Sequence, residues 1–163
     1  MQPSEEVQEI AENQSEESAA PERDAHDFDG TVVFDAYAWV EYAVDGPMAE
    51  VVKRYLDVAE EVLTPASVIA ELKESMLRHG EKKAIISGVI DFVKSRSSVV
   101  EIDANLAELA GETNFLHKKK IKDWGMLDSM VFAVSKSPDW KNSKILTGDP
   151  HFKKFSNVLY IGK

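Results

Sequence analysis

At 163 residues and 44% hydrophobic content, the chain is long enough for one domain with a sizeable core plus an appendage. It contains no cysteine, which excludes disulfides and thiolate metal sites, and no apolar run nears the roughly 20 residues that a membrane span needs. The net charge of −10 is uneven: residues 1–29 hold ten acids against Arg23 alone, while the rest holds 19 acids and 18 bases.

Residues 1–29 are rich in Glu, Ser, Gln and Ala and poor in large apolar side chains. Such a segment buries too little surface to offset its ordering entropy, so a largely disordered acidic extension is expected, with at most a helical turn around Val7 and Ile10. It serves either as a solubilising tail or as one that competes with a polyanion. The opening MQPSEEVQEI lacks the basic and apolar regions of a signal peptide, so a cytoplasmic protein is the expectation. The folded domain is expected over residues 30–163.

From Thr31 onward, strand-like runs alternate with helical patterns. TVVFDAY reads as a first strand. PMAEVVKRYLDVAE reads as a helix with Met48, Val51, Val52, Tyr55 and Leu56 on one face. EVLTP is a short strand ended by Pro65, and ASVIAELKESMLRHG a helix carrying Val68, Ile69, Leu72, Met76 and Leu77, stopped at Gly80. EKKAIISGVIDFVKSR continues as helix, SVVEID as strand and ANLAELAGETNFLHKKK as helix. DSMVFAVSK is a buried helix, KILTGD a strand, HFKKF a short turn of helix and NVLYIG the last strand. The alternation predicts an α/β fold, with a central parallel sheet of about four to five strands covered by helices on both faces. No internal repeat is visible.

In such sheets, ligands bind beyond the carboxyl ends of the strands, where strand order reverses. Four acids sit at strand ends or on helix faces that should be buried: Asp35 directly after VVF, Glu71 beside core-facing Leu72, Asp128 opening DSMVFAV, and Asp149 ending ILTGD. Asp and Glu are almost never fully buried unless paired or bound to a metal. Singly, each has an ordinary explanation: a helix N-cap for Asp128, a turn residue for Asp149, a solvated position for Glu71. Asp35, apolar on both sides, is the hardest to explain that way. Four acids converging on one edge would repel one another, and a hard cation relieves this. With no Cys and no His at ligand spacing among His26, His79, His117 and His151, the expected ion is Mg²⁺ or Mn²⁺. The chemistry such a site supports is metal-assisted phosphodiester hydrolysis.

The order of these motifs resembles that of PIN domains, over residues 31 to 161. VVFDAYAWVEY is similar to the family's first strand and acid, in wording close to archaeal toxin-type members. TPASVIAELKE is similar to its second motif, GMLDSMVFAVS to its third, and LTGDPHF, with Thr147, Asp149 and Phe152, to its Thr-x-Asp strand end. The acids are 36, 57 and 21 residues apart. The resemblance implies a three-layer α/β/α fold and a Mg²⁺- or Mn²⁺-dependent endoribonuclease with Asp35, Glu71, Asp128 and Asp149 around the metal and Thr147 in support. It also implies a homodimer, and a toxin of the VapBC type held in check by an antitoxin protein. Some relatives process RNA outside such pairs, and a non-catalytic RNA- or protein-binding module is a further alternative. Two departures are plain. Ala36 stands where many members have Thr or Ser, and the acidic extension is no part of the family pattern.

RNA binding requires positive charge near the acids. HKKKIKDWG, with Lys118, Lys119, Lys120 and Lys122, is the densest basic run, and Arg78 with His79, Lys82 and Lys83 forms a second group. Either set contacts phosphates or is an ordinary solvated face. Trp124 is a base-stacking surface or a packing residue, with packing the expectation. Phosphotransfer folds fit poorly: a phosphoaspartate hydrolase wants an acid at position 37, which is Tyr, and a receiver domain wants paired acids before its strand-end Asp and a Lys on its last strand.

Overall fold

Val32, Val33 and Phe34 are each fully buried, and a run with no polar face can only be a strand covered on both sides. In the computed structural model, which describes residues 28–163, this run is β1 (Thr31–Phe34), the middle strand of a five-stranded sheet. The others are β2 (Glu61–Pro65), β3 (Ser98–Val100), β4 (Lys144–Thr147) and β5 (Val158–Tyr160). All pairings are parallel, in the order β3-β2-β1-β4-β5.

Six α-helices are present among the described residues: α1 (Ala36–Ala43), α2 (Ala49–Val58), α3 (Ala66–Arg78), α4 (Lys83–Arg96), α5 (Ala104–His117) and α6 (Met126–Lys136). Together with the sheet they make the expected three-layer α/β/α architecture. On α2, Val51, Val52, Tyr55 and Leu56 are buried, as their helical spacing predicts, while Met48 precedes the helix. On α3 only Val68 and Leu72 are buried, and Leu77 is 52% exposed because the last turn runs past the core. His79 caps α3, and Gly80 follows at φ 76°, a conformation that favours glycine.

Two of the boundaries that differ from the sequence expectation bear on the site. The first strand ends at Phe34 instead of running through Tyr37. Asp35 is instead the N-cap of α1, its Oδ1 accepting the Ala36 N–H at 2.7 Å. The β-branched run stops there, and AYAWVEYA, whose first two residues are expected in the strand, winds into helix. Asp128 is the third residue of α6, not its opening: Met126 and Leu127 precede it, 43% and 41% exposed.

The topology sets where a site can form. From β1 the chain moves outward through β2 to β3, then returns to β4 on β1's other side. β1 and β4 are therefore neighbours whose following segments leave in different directions, opening a crevice at their carboxyl ends. Their register pairs Phe34 with Leu146, and the Asp35 N–H donates to Leu146 O at 3.2 Å, so Asp35 stands beside Thr147.

Buried polar contacts fix the helices around this point. Trp39, 1% exposed, donates its indole N–H to Thr64 Oγ1 at 3.1 Å, and Ser97 Oγ lies 2.7 Å from the same oxygen, tying α1 to β2 and the end of α4. Trp124, 2% exposed, donates to Ser129 Oγ at 2.6 Å and packs against Phe132, Phe152 and Phe155. It is a core residue, as expected, and offers no surface to a base. Residues 1–27, most of the acidic extension, lie outside the described residues. Phe28 packs edge-on against Tyr55, ring centroids 5.6 Å apart.

Candidate active site

A cleft of about 460 Å³ opens at the carboxyl ends of β1 and β4. Asp35, Glu71 and Asp149 line it, with Tyr37, Arg78 and Leu127. Asp128, one residue from Leu127, shares this neighbourhood, because its charge acts on both Asp35 and Glu71.

Each acid is placed by a short local device. Asp35 is 7% exposed, and its second oxygen accepts the Thr147 hydroxyl at 2.7 Å. The same Thr147 oxygen accepts the Asp149 N–H at 3.0 Å, so one hydroxyl couples the two strand-end acids. Asp149 Oδ1 accepts the His151 N–H at 2.8 Å, which turns the chain into the short 3₁₀ segment Pro150–Phe152. Asp128 Oδ2 reaches back to the Gly125 N–H at 2.8 Å, satisfying a donor that the helix leaves open. Glu71 is half-buried, one position before Leu72, which α3 buries against the sheet.

The carboxylates lie near enough to act on one another's ionisation. Asp35 is pushed up from 3.8 to about 6, first by burial, with Thr147 and Ala36 pulling the other way and Asp149 and Asp128 adding repulsion. Glu71 rises from 4.5 to about 7, first by burial, then by repulsion from Asp35, Asp128, Asp149 and Glu74. Asp128 is also raised, chiefly by burial, although the Gly125 N–H opposes it. A cation would relieve repulsion of this kind.

The crevice, however, does not gather the four acids evenly. Among the described residues, the one group of three potential ligands within mutual reach is Asp128, Asp149 and His151, whose ligand atoms all lie within 4.8 Å of one another. His151 Nδ1 is 3.1 Å from Asp149 Oδ1 and 3.7 Å from Asp128 Oδ2. Asp35 and Glu71 lie outside that group. The residues fit a divalent ion in donor chemistry and spacing, with Asp128 and Asp149 as the nearest carboxylates. Sequence reading assigned no histidine to a metal, since none has ligand spacing to another. The available signal was position: His151 falls two residues after a strand-end Asp, across a proline that commits the chain to a tight turn.

The basic residues divide. Arg78 is the one cation lining the cleft among the described residues, and it also pairs with Glu74 at 3.3 Å. Lys118, Lys119 and Lys120 are exposed where α5 ends, Lys122 is exposed shortly after, and none lines the cleft. Lys119 lies 3.6 Å over the Phe115 ring.

The family model for the PIN domain matches residues 32–158. The chain belongs to the PIN domain family. A search of curated proteins finds no match. Among solved structures, this PIN domain is similar to VapBC2 from Rickettsia felis bound to a DNA fragment from its promoter, at 17% identity and a TM-score of 0.61. That likeness covers 78% of this chain and 95% of the other. It is similar to VapC20 from Mycobacterium tuberculosis, a toxin that cleaves the Sarcin-Ricin loop, at 20% identity and a TM-score of 0.57, covering 72% and 91%. DNA-bound VapBC from Salmonella typhimurium matches at 15% identity with a TM-score of 0.58, covering 78% and 94%. At such identities the likeness speaks to the PIN fold. No helix among the described residues is long and apolar enough to cross a membrane.

Proposed function

We propose that this PIN domain is a metal-dependent endoribonuclease that hydrolyses RNA phosphodiester bonds, with Asp35, Glu71, Asp128 and Asp149 as its site. The supporting observation is the mutual suppression of ionisation in the cleft, where Asp35 and Glu71 are held near 6 and 7 by burial and by the other acids. A bound Mg²⁺ or Mn²⁺ would stabilise charge on the phosphate and acidify a water.

The remaining roles belong to side chains. Asp128 and Asp149 would hold the ion, and Asp35, fixed by Ala36 and Thr147, sets the adjoining wall. Glu71, which burial first and then the other acids raise to about 7 in the metal-free cleft, is the acid assigned to accept a proton from the attacking water. Arg78 meets the phosphate charge at the cleft, and Lys118, Lys119, Lys120 and Lys122 engage the RNA backbone farther out. The folded unit is residues 30–163.

The similarity to VapC and VapBC structures supports a toxin of a type II pair, working as a homodimer and restrained by an antitoxin protein. One observation favours a PIN nuclease acting in RNA processing instead: the first 31 residues lie outside the family match. Induced expression separates the two. Growth arrest relieved by Asp35→Asn supports the toxin, whereas normal growth alongside RNA cleavage by purified protein supports processing.

Labelled RNA incubated with purified protein and Mn²⁺ tests the chemistry. Asp35→Asn and Asp128→Asn should each slow cleavage by at least about 100-fold, the loss of roughly 3 kcal/mol of transition-state stabilisation. Cleavage at the parent rate by both variants would refute the site.

A further inference from the structure

His151 is the side chain of this crevice that the four-acid scheme leaves without a role. The turn that carries it is anchored at both ends. Its own N–H is bound by Asp149 Oδ1 at 2.8 Å, and the next residue, Phe152, is fully buried against Trp124. The imidazole is thereby held between two carboxylates, Nδ1 at 3.1 Å from Asp149 and 3.7 Å from Asp128. Despite that closeness, Nδ1 is buried and makes no aligned hydrogen bond. An imidazolium recruited to neutralise the two acids would aim an N–H at one of them. A nitrogen set beside two carboxylate oxygens without such alignment is arranged as a third donor around a common point.

We infer that His151 Nδ1 is a metal ligand, completing a site with Asp128 and Asp149 that takes a divalent first-row transition ion in preference to Mg²⁺. The inference rests on the metal-dependent reading above and narrows its cofactor class. Mg²⁺ demands oxygen donors and keeps its waters, whereas an imidazole nitrogen favours transition ions. The geometry separates the acids accordingly. Asp128 and Asp149 share the ion with His151, while both oxygens of Asp35 already accept hydrogen bonds from Ala36 and Thr147.

The test is pulsed EPR of Mn²⁺ bound to the full chain, with metal affinities from titration. The parent should show coupling of the electron spin to a directly bound nitrogen, and ¹⁵N-histidine labelling should change that signal. His151→Gln should abolish it and weaken Mn²⁺ binding about tenfold or more, with Mg²⁺ affinity changed about twofold or less. Should the Gln variant not fold, His151→Asn and the labelled parent carry the same comparison. Bound Mn²⁺ without nitrogen coupling, or coupling that survives loss of His151, overturns the inference and leaves a purely carboxylate site. No Mn²⁺ binding by the parent overturns the metal-dependent reading itself, and this inference with it.

Discussion

A single hydroxyl holds the strand-end acids in relation to each other. Thr147 donates to Asp35 Oδ2 and accepts from the Asp149 N–H, so Thr147→Val removes two buried hydrogen bonds at once. The expected cost is about 1–3 kcal/mol in urea unfolding. Without the donor that opposes its burial, Asp35 should also titrate higher, moving the acid limb of the cleavage–pH profile upward. Titration links the site to stability as well. Asp35 and Glu71 keep protons in the metal-free native state up to about pH 6 and 7, but release them near 3.8 and 4.5 when unfolded. Across that interval the native state binds more protons, so these two groups lower stability as pH rises. His117 acts oppositely. It is 1% exposed, neither ring nitrogen has a hydrogen-bond partner, and its pKa falls from 6.5 to about 4, first by burial, then through Lys120 and Lys136. Between those values the unfolded chain binds the extra proton, so His117 costs stability as pH falls. His117→Phe, entering a nest of Trp124, Phe132 and Phe155, should therefore raise the urea midpoint more at pH 5 than at pH 7.5. An equal gain at both values would mean that the imidazole's protonation is irrelevant.

At the scale of elements, the segment after β4 passes so close to α1 that position 148 has no room for a side chain. A Cβ on Gly148 would collide with the ring of Tyr37. Gly148→Ala should push α1 away from β4, lowering the melting temperature and, because Asp35 caps α1, the cleavage rate too. Retained stability and rate would show that Tyr37 swings aside freely. This contact was invisible in the sequence, since it joins residues 111 positions apart. Local patterns were more legible. EVLTP was bounded correctly, because its β-branched run meets Pro65 and helical spacing begins at once. The four acids were also visible, as each breaks an apolar pattern. The helix Ala36–Ala43 escaped because its buried Ala36, Ala38 and Trp39 continue the apolar run of the strand, which drew Ala36 and Tyr37 into it. His151 escaped because its partners come from α6 and the end of β4, a proximity that only the fold creates.

For the molecule as a whole, charge divides sharply along the chain. Residues 1–29 hold ten acids against one base, and the rest holds 19 acids against 18 bases. Deleting residues 1–27 should leave the unfolding midpoint nearly unchanged. RNA binding should tighten most at low salt, where exposed charges repel over the longest range. A deletion that lowers the midpoint by several degrees would place part of the fold in that segment.

The position of β1 at the centre of the sheet has a consequence for how the protein is made. Its neighbour β4 leaves the ribosome long after β1 does, and the Thr147–Asp35 bond closes a span of 112 residues. Parallel pairing at such separation is entropically late, so one edge of β1 waits until β2, β3 and six helices have been made. The candidate site built across that seam cannot exist in a chain that stops short of β4. The topology withholds that site until β4 has been made.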